Sequence, residues 1–367
     1  ERELIKQRLD ESSRFKGRVE WERLYASEST LPFEPNSFDV IVGNPPWGYV
    51  KKSEVSPELH LAQEHTLRWC DVFGWSIGDK ELSQAFIARS LSLLKSDGEC
   101  GLLVSAGVFL KRHRKSEEFR KRWLQNSTIE QVTNFIHVRD MFFSSAISPF
   151  CFVQYHKGSP PSNHILEYWS VKKTDTSIRS QFVVLTLYDL HKVRQWEMIN
   201  NDLLWKVYWW GNHRDAAFIN SLCVEDKLHQ LAKEQKWPRP QRGFENQRTT
   251  AKSFPSRWLK DYKELPVPDL KRYGSVKISL TDTVPDRVRA YGSREIYEGW
   301  RLLIKQGITQ AMGANGRIDC RLENLSYCFQ SSIYGINVDR AAEWQRKLLI
   351  GILWSSLARY YFFMIAS

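Results

Sequence analysis

The residues best suited to chemistry stand together at Asn44-Pro45-Pro46-Trp47. Asn44 offers an amide oxygen, Pro45 a backbone carbonyl and Trp47 a large flat ring. Two successive prolines fix φ and lack N–H groups, so the loop is stiff and cannot continue a strand ladder. The exocyclic amino nitrogen of adenine is a poor nucleophile, because its lone pair is delocalised into the ring. Two acceptors placed on its two N–H bonds favour a pyramidal nitrogen with a localised lone pair. The side chain of Asn44 and the carbonyl of Pro45 supply two such acceptors. Trp47 can stack on the base, a contact worth about 1–3 kcal/mol. A base inside a duplex cannot reach this loop and must be flipped out.

Elements that position the loop can be read on either side of it. Residues 38–42, Phe-Asp-Val-Ile-Val, read as a short buried strand running into Gly43. Residues 81–95 carry a helical apolar pattern ended by Ser96-Asp97-Gly98, and residues 101–104 form the next buried strand. This alternation predicts an α/β fold with a parallel sheet. Upstream, 1–13 read as an amphipathic helix and 19–25 as a strand; 49–78 are polar and irregular. Residues 111–122 are a basic run entering a helix through Phe119 and Trp123, with a solvated face favoured over phosphate contact. Strands are expected at 129–135 and 150–155, then at 164–169 and 182–187 beyond a linker at 158–163.

The strand followed by Asn-Pro-Pro-Trp resembles the amino-group DNA methyltransferases, whose motif is Asp, Asn or Ser, then Pro-Pro and an aromatic residue. With Asn first it is most similar to the N6-adenine enzymes that carry a target-recognition domain after the catalytic one, as in Type IIG restriction–modification proteins. The resemblance implies a partial Rossmann-like class I methyltransferase sheet followed by an α+β target-recognition domain. It implies S-adenosylmethionine as methyl donor, direct displacement without a covalent enzyme intermediate, and no metal. Asn44 and Pro45 would hold N6, Pro46 would fix the loop and Trp47 would stack. Phe142 or Phe143 stands where the family places an aromatic that wedges the flipped base. The family's proline after the next strand is absent, and Ser105-Ala106-Gly107 stands there instead. No glycine-rich strand-to-helix turn for the cofactor is found, so cofactor-binding residues are unassigned. The chain begins at Glu1 in a helical pattern and stops at Ser367 after an apolar run, and it reads as cut at both ends.

Lys and Arg exceed Asp and Glu, 53 to 42, giving a net charge of +11 that suits a polyanionic partner, here double-stranded DNA. From residue 236 the chain is basic and aromatic, with Arg242, Arg248, Arg287, Arg289, Arg294 and Lys305 as DNA-binding candidates. The stretch Leu353-Trp354-Ser355-Ser356-Leu357-Ala358-Arg359-Tyr360 resembles the long helix that closes the family's recognition domain. The expected division is 1–160 catalytic, 161–235 connector and 236–367 recognition domain, truncated. Six cysteines without a Cys-x-x-Cys pair point to a reducing compartment, and no run approaches a membrane span, so a cytoplasmic protein is expected. Three alternatives stay open. The amino group could belong to cytosine N4, RNA or a protein glutamine. The chain could be a non-catalytic DNA-binding specificity module. A nuclease or partner could lie outside this chain, since Pro268-Asp269 and Pro285-Asp286 lack the Glu-x-Lys that a nuclease needs.

Overall fold

A computed structural model describes residues 33–143, 148–180, 182–224, 230, 233–234, 236–237, 239–246, 253–270, 279–307 and 318–365. The expected elements at 1–13 and 19–25, and Arg248, lie outside them. The chain forms two compact units that divide between His213 and Arg214.

The first unit is built on a six-stranded mixed sheet. Its elements are β1 (Phe38–Gly43), α1 (Pro57–Val72), α2 (Leu82–Leu93), β2 (Leu94–Ser105), α3 (Gly107–Leu110), α4 (Arg114–Asn126), β3 (Ser127–Asn134), α5 (Arg139–Phe142), β4 (Phe150–Lys157), β5 (Ile165–Ser170), β6 (Leu190–Arg194) and α6 (Leu204–Trp210). The strand order is β1-β2-β4-β3-β5-β6. β1 runs parallel to β2, and β4 is antiparallel to both β2 and β3. The α/β alternation expected from the sequence is present, but the sheet is mixed and not parallel as expected, because β4 and β6 run antiparallel to their neighbours.

Four further expectations change. β1 is an edge strand among the described residues, with Val40 58% and Val42 78% exposed, not a buried one. The stretch at 49–78 contains the 16-residue helix α1. Ser56 caps it by accepting from the N–H of Leu59 at 3.3 Å, and Pro57 opens its first turn. Its apolar residues do not gather on one face: Leu59 and Leu61 are half exposed while Gln63 is buried. The strand expected at 182–187 is replaced by β6, because Phe182 and Leu187 lie exposed. β5 and β6 both join the sheet, so the division expected at 160 falls inside it. The basic run keeps its expected solvated face, with Arg112, Arg114, Lys115 and Lys121 exposed, and Arg120 is its one buried basic residue. Arg120 is fully buried, with its Nε donating to Asp202 at 2.8 Å and its Nη1 to the carbonyl of Val108 at 2.8 Å.

β2 starts seven residues earlier than the sequence suggests because it accommodates a bulge. The register passes from Phe38 opposite Leu94 to Val40 opposite Glu99. Asp97 takes φ 63° in this bulge, a conformation that Asp tolerates. A Cβ on Gly98 would lie 3.1 Å from the carbonyl oxygens of Phe38 and Lys95, which favours glycine there. The core beneath is aromatic: Trp123 is fully buried among Phe109, Phe119 and Tyr155.

The second unit opens with α7 (His213–Val224), which begins at the division itself. It then contains β7 (Gln241–Arg242), β8 (Glu245–Asn246), β9 (Phe254–Pro255), β10 (Glu264–Leu265), β11 (Arg287–Ala290), β12 (Arg301–Lys305), β13 (Cys320–Glu323), β14 (Cys328–Phe329), β15 (Ile333–Asn337), α8 (Glu343–Trp354) and α9 (Ser356–Ile365). Its largest sheet has the order β13-β12-β15-β7. Alternation along β12 sends Leu302 into a core with Ile336, Ile350 and Leu353, and Leu303 into a second core with Phe244, Tyr297 and Phe329. A Cβ on Gly243 would meet the Phe329 carbonyl oxygen at 2.0 Å, so only glycine lets these backbones approach. The stretch 353–360, expected within one long helix, instead spans the break between α8 and α9, which are bent by 62°. Ser355 adopts extended geometry at the break, and its Oγ accepts from the N–H of Ala358 at 3.1 Å. No single helix among the described residues is long and apolar enough to cross a membrane.

Candidate functional site

Asn44, Pro45, Pro46 and Trp47 leave the end of β1 as an irregular loop. Asn44 and Pro46 are exposed and Pro45 is buried. Among the described residues, neither the Asn44 side chain nor the Pro45 carbonyl has a hydrogen-bond partner. The exposed Asn44 side chain is therefore open to a ligand, and the Pro45 carbonyl beside it is unpartnered. Trp47, by contrast, is anchored. Its Nε1 donates to the carbonyl of Leu103 at 3.0 Å, and its own carbonyl accepts from the N–H of Ser83 at 3.3 Å. The loop is thus tied to β2 on one side and to the start of α2 on the other.

One ring gathers the aromatic candidates. Trp47 stacks on Phe150 at 5.5 Å between centroids with an interplanar angle of 21°. Phe142 and Phe143 meet the same ring edge-on at 6.0 Å and 5.3 Å. Phe135 stacks on it at 5.4 Å. Phe142 and Phe143 remain 48% and 38% exposed. The structure therefore brings all the candidates of this half into one neighbourhood, with Phe150 as the hub. Trp47 spends one face on Phe150, so at most its other face is open to a base.

Sequence reasoning missed the polar group behind the loop. Glu81 is buried between Ser83 and Ser105, whose hydroxyls lie 3.4 Å and 3.5 Å from its carboxylate. Lys111 Nζ sits 3.3 Å from both Glu81 and Asp79. Ser83 Oγ also accepts from the N–H of Ser105 at 3.2 Å, and Ser105 Oγ from that of Gly107 at 3.1 Å. Ser83 therefore bridges this network to Trp47. Burial raises the Glu81 pKa above the ordinary carboxylate value, although Lys111 and the hydroxyls pull it down. A carboxyl group with a raised folded pKa binds its proton more tightly in the folded than in the unfolded protein. Its contribution to stability is complete below the unfolded pKa and is lost as pH rises through the folded one. Urea unfolding of the natural chain and of Glu81→Gln, followed across the weakly acidic range, should show the natural chain losing stability relative to the variant as pH rises. A gap that moves the other way would mean that the Lys111 pair outweighs burial.

In the second unit the arginine candidates separate by partner. Arg289 donates to Glu245 at 2.9 Å, and Arg294 to Glu298 at 2.8 Å. Lys305 faces Asp319 at 3.7 Å. Arg287 holds the oxygens of Ser253 at 2.9 Å. Among the described residues, Arg242, exposed on β7, donates only its Nε, to Tyr334 Oη at 2.8 Å, which leaves both Nη groups without a partner there, and its guanidinium lies 5.2 Å from the centre of that ring. Arg301 on β12 is fully buried against Tyr327.

Residues 2–142 match the model of the family described as Eco57I restriction-modification methylase. The matched segment includes Asn44 to Trp47 and Phe142 and ends one residue before Phe143. No curated protein matches the chain. Among solved structures, the chain is similar to the Type IIL restriction-modification enzyme MmeI in complex with DNA, at 12% identity over 86% of this chain and 42% of that one, with a TM-score of 0.46. The type IIG restriction endonuclease BpuSI is similar at 11% identity over 88% and 44%, with a TM-score of 0.37. The type I restriction-modification methyltransferase subunit from Streptococcus thermophilus is similar at 17% identity over 49% and 39%, with a TM-score of 0.30. The chain thus spans less than half the length of each of these proteins.

Proposed function

We propose that this chain is part of a restriction–modification DNA methyltransferase that methylates the N6 amino group of an adenine flipped from duplex DNA. The observation that carries this reading is the Asn44 loop. Two unpartnered acceptors stand beside an anchored tryptophan on a segment that matches a restriction-modification methylase family. Asn44 Oδ1 and the Pro45 carbonyl accept the two N–H bonds of the base, and the Pro45-Pro46 geometry holds these acceptors in place without reorganisation. The exposed rings around Phe150 supply an apolar wall for the base. S-adenosylmethionine supplies the methyl group when bound. No Gly-x-Gly occurs in the sequence, and no residue is assigned to the cofactor. The second unit, in which Arg242 and Arg287 meet no carboxylate among the described residues, is the proposed contact to duplex DNA, in a cytoplasmic setting.

The test is methyl transfer from labelled S-adenosylmethionine by the full-length protein, offered duplex DNA, structured RNA and denatured protein in parallel. Label in duplex DNA alone is expected. Label in RNA or protein, with none in DNA, would contradict the reading.

A further inference from the structure

The opposite end of the first sheet carries a second arrangement of aromatic and cationic side chains. A cleft of about 390 Å³ opens between the C-terminal ends of α1, α2, α4 and β4. One wall is aromatic: Trp69 and Phe73 pack at 4.6 Å between centroids, and Trp75 lies beside them. Phe73 is 51% exposed and Trp69 is half-buried, so the wall presents ring surface to the cleft. The other side carries Arg122, Asn126 and Lys157.

Among the described residues, no carboxylate lines this cleft. Arg122 places Nη1 on the carbonyls of Phe73 and Gly74 and stacks over Trp75 at 4.2 Å. Lys157 Nζ donates to the carbonyl of Leu94 at 2.7 Å and to the Asn36 side chain. A third cation, Arg89, lies over Trp69 at 5.1 Å and bonds Ser92. All of these partners are neutral oxygens or rings. Three positive charges thus converge on one aromatic wall, none of them paired with a carboxylate among the described residues. Burial already pulls the pKa of Lys157 and of Arg89 below their ordinary values, so an anion beside them would relieve a cost.

We infer that this cleft binds a nucleotide, with its base against Trp69 and Phe73 and its phosphate between Arg122 and Lys157. Stacking plus backbone-tracking cations is the combination by which proteins hold single nucleotides without reading their sequence. The site is separate from the Asn44 loop. Lys157 and Phe152, the residue paired with Leu103 below Trp47, are five positions apart on β4, roughly 17 Å at strand rise. The inference therefore does not rest on the methyltransferase reading. A free nucleotide and a nucleotide of an unpaired DNA strand offer this site the same chemistry.

The experiment is calorimetric titration of the full chain with 2′-deoxyadenosine 5′-monophosphate, with 2′-deoxyadenosine and with a short single-stranded oligodeoxyadenylate. The monophosphate should bind, and removing its phosphate should weaken binding roughly tenfold, as expected for charge-assisted hydrogen bonds. Phe73→Ser changes an exposed ring and should weaken the monophosphate at least roughly fivefold without altering thermal unfolding. Arg122→Gln with Lys157→Gln should bring the monophosphate to the level of the nucleoside. An oligonucleotide bound more tightly than the monophosphate identifies a strand as the source, and equal affinities identify a free nucleotide. Asn44→Ala should leave all of these values unchanged. Absence of binding, indifference to Phe73→Ser and to the double substitution, or loss of binding in Asn44→Ala would each overturn the site.

Discussion

Replacement of Asn44 by Ala should reduce methyl transfer by about 10²–10³-fold or more while leaving duplex binding close to that of the natural protein. The magnitude follows from removing one preorganised group that acts on the reacting centre in the transition state. Asn44 is exposed and has no hydrogen-bond partner among the described residues, so its loss breaks no internal contact. A stability change therefore cannot account for the lost activity. Trp47→Ala behaves differently, because the indole also holds Leu103 and Phe150. Comparing single-turnover rates with duplex affinities for the two variants separates chemistry from assembly. An Asn44→Ala protein that methylates at a near-normal rate would remove the loop from the mechanism.

Arg242→Lys should relax selectivity at one base pair of the DNA site by about 1–3 kcal/mol, with little change in the salt dependence of binding. The reason lies in how its side chain is held. Tyr334 takes the Nε and leaves both Nη groups presented as a fork, which suits the two acceptors on the major-groove edge of guanine. Lys retains the charge but loses the fork. Arg289→Lys should do much less, because Glu245 already neutralises that guanidinium. Selection of bound sequences from a randomised duplex pool measures both. Uniformly weaker binding by Arg242→Lys, with an unchanged sequence preference, would place Arg242 on phosphate instead.

Much of the candidate site was legible in the sequence because it is local. The strand, the two prolines and the tryptophan are consecutive, and their conformational rules act over a few residues. The aromatic neighbours were legible as residue types only. Phe142 and Phe143 meet Trp47 through Phe150, a convergence set by the pairing of β2 with β4. Glu81 went unseen because nothing marks a single acidic residue at a helix start as buried. Its burial follows from Ser105 and Lys111, which lie 24 and 30 positions away in the chain. The arginines divide in the same way. The Arg294–Glu298 pair has helical i, i+4 spacing and is readable in advance, whereas Arg289 and Glu245 meet only through the pairing of β11 with β8. α1 was missed because its apolar residues do not follow the helical period, although Ser56-Pro57-Glu58 carries a helix-start signature.

The central claim is that the Asn44 loop holds the N6 amino group of adenine. Its most direct test is to digest DNA methylated by the full-length protein to nucleosides and to weigh them. N6-methyldeoxyadenosine is the product the account predicts, and it should be absent when Asn44 is Ala. N4-methyldeoxycytidine instead, or the same methyladenine from the Asn44→Ala protein, would contradict it.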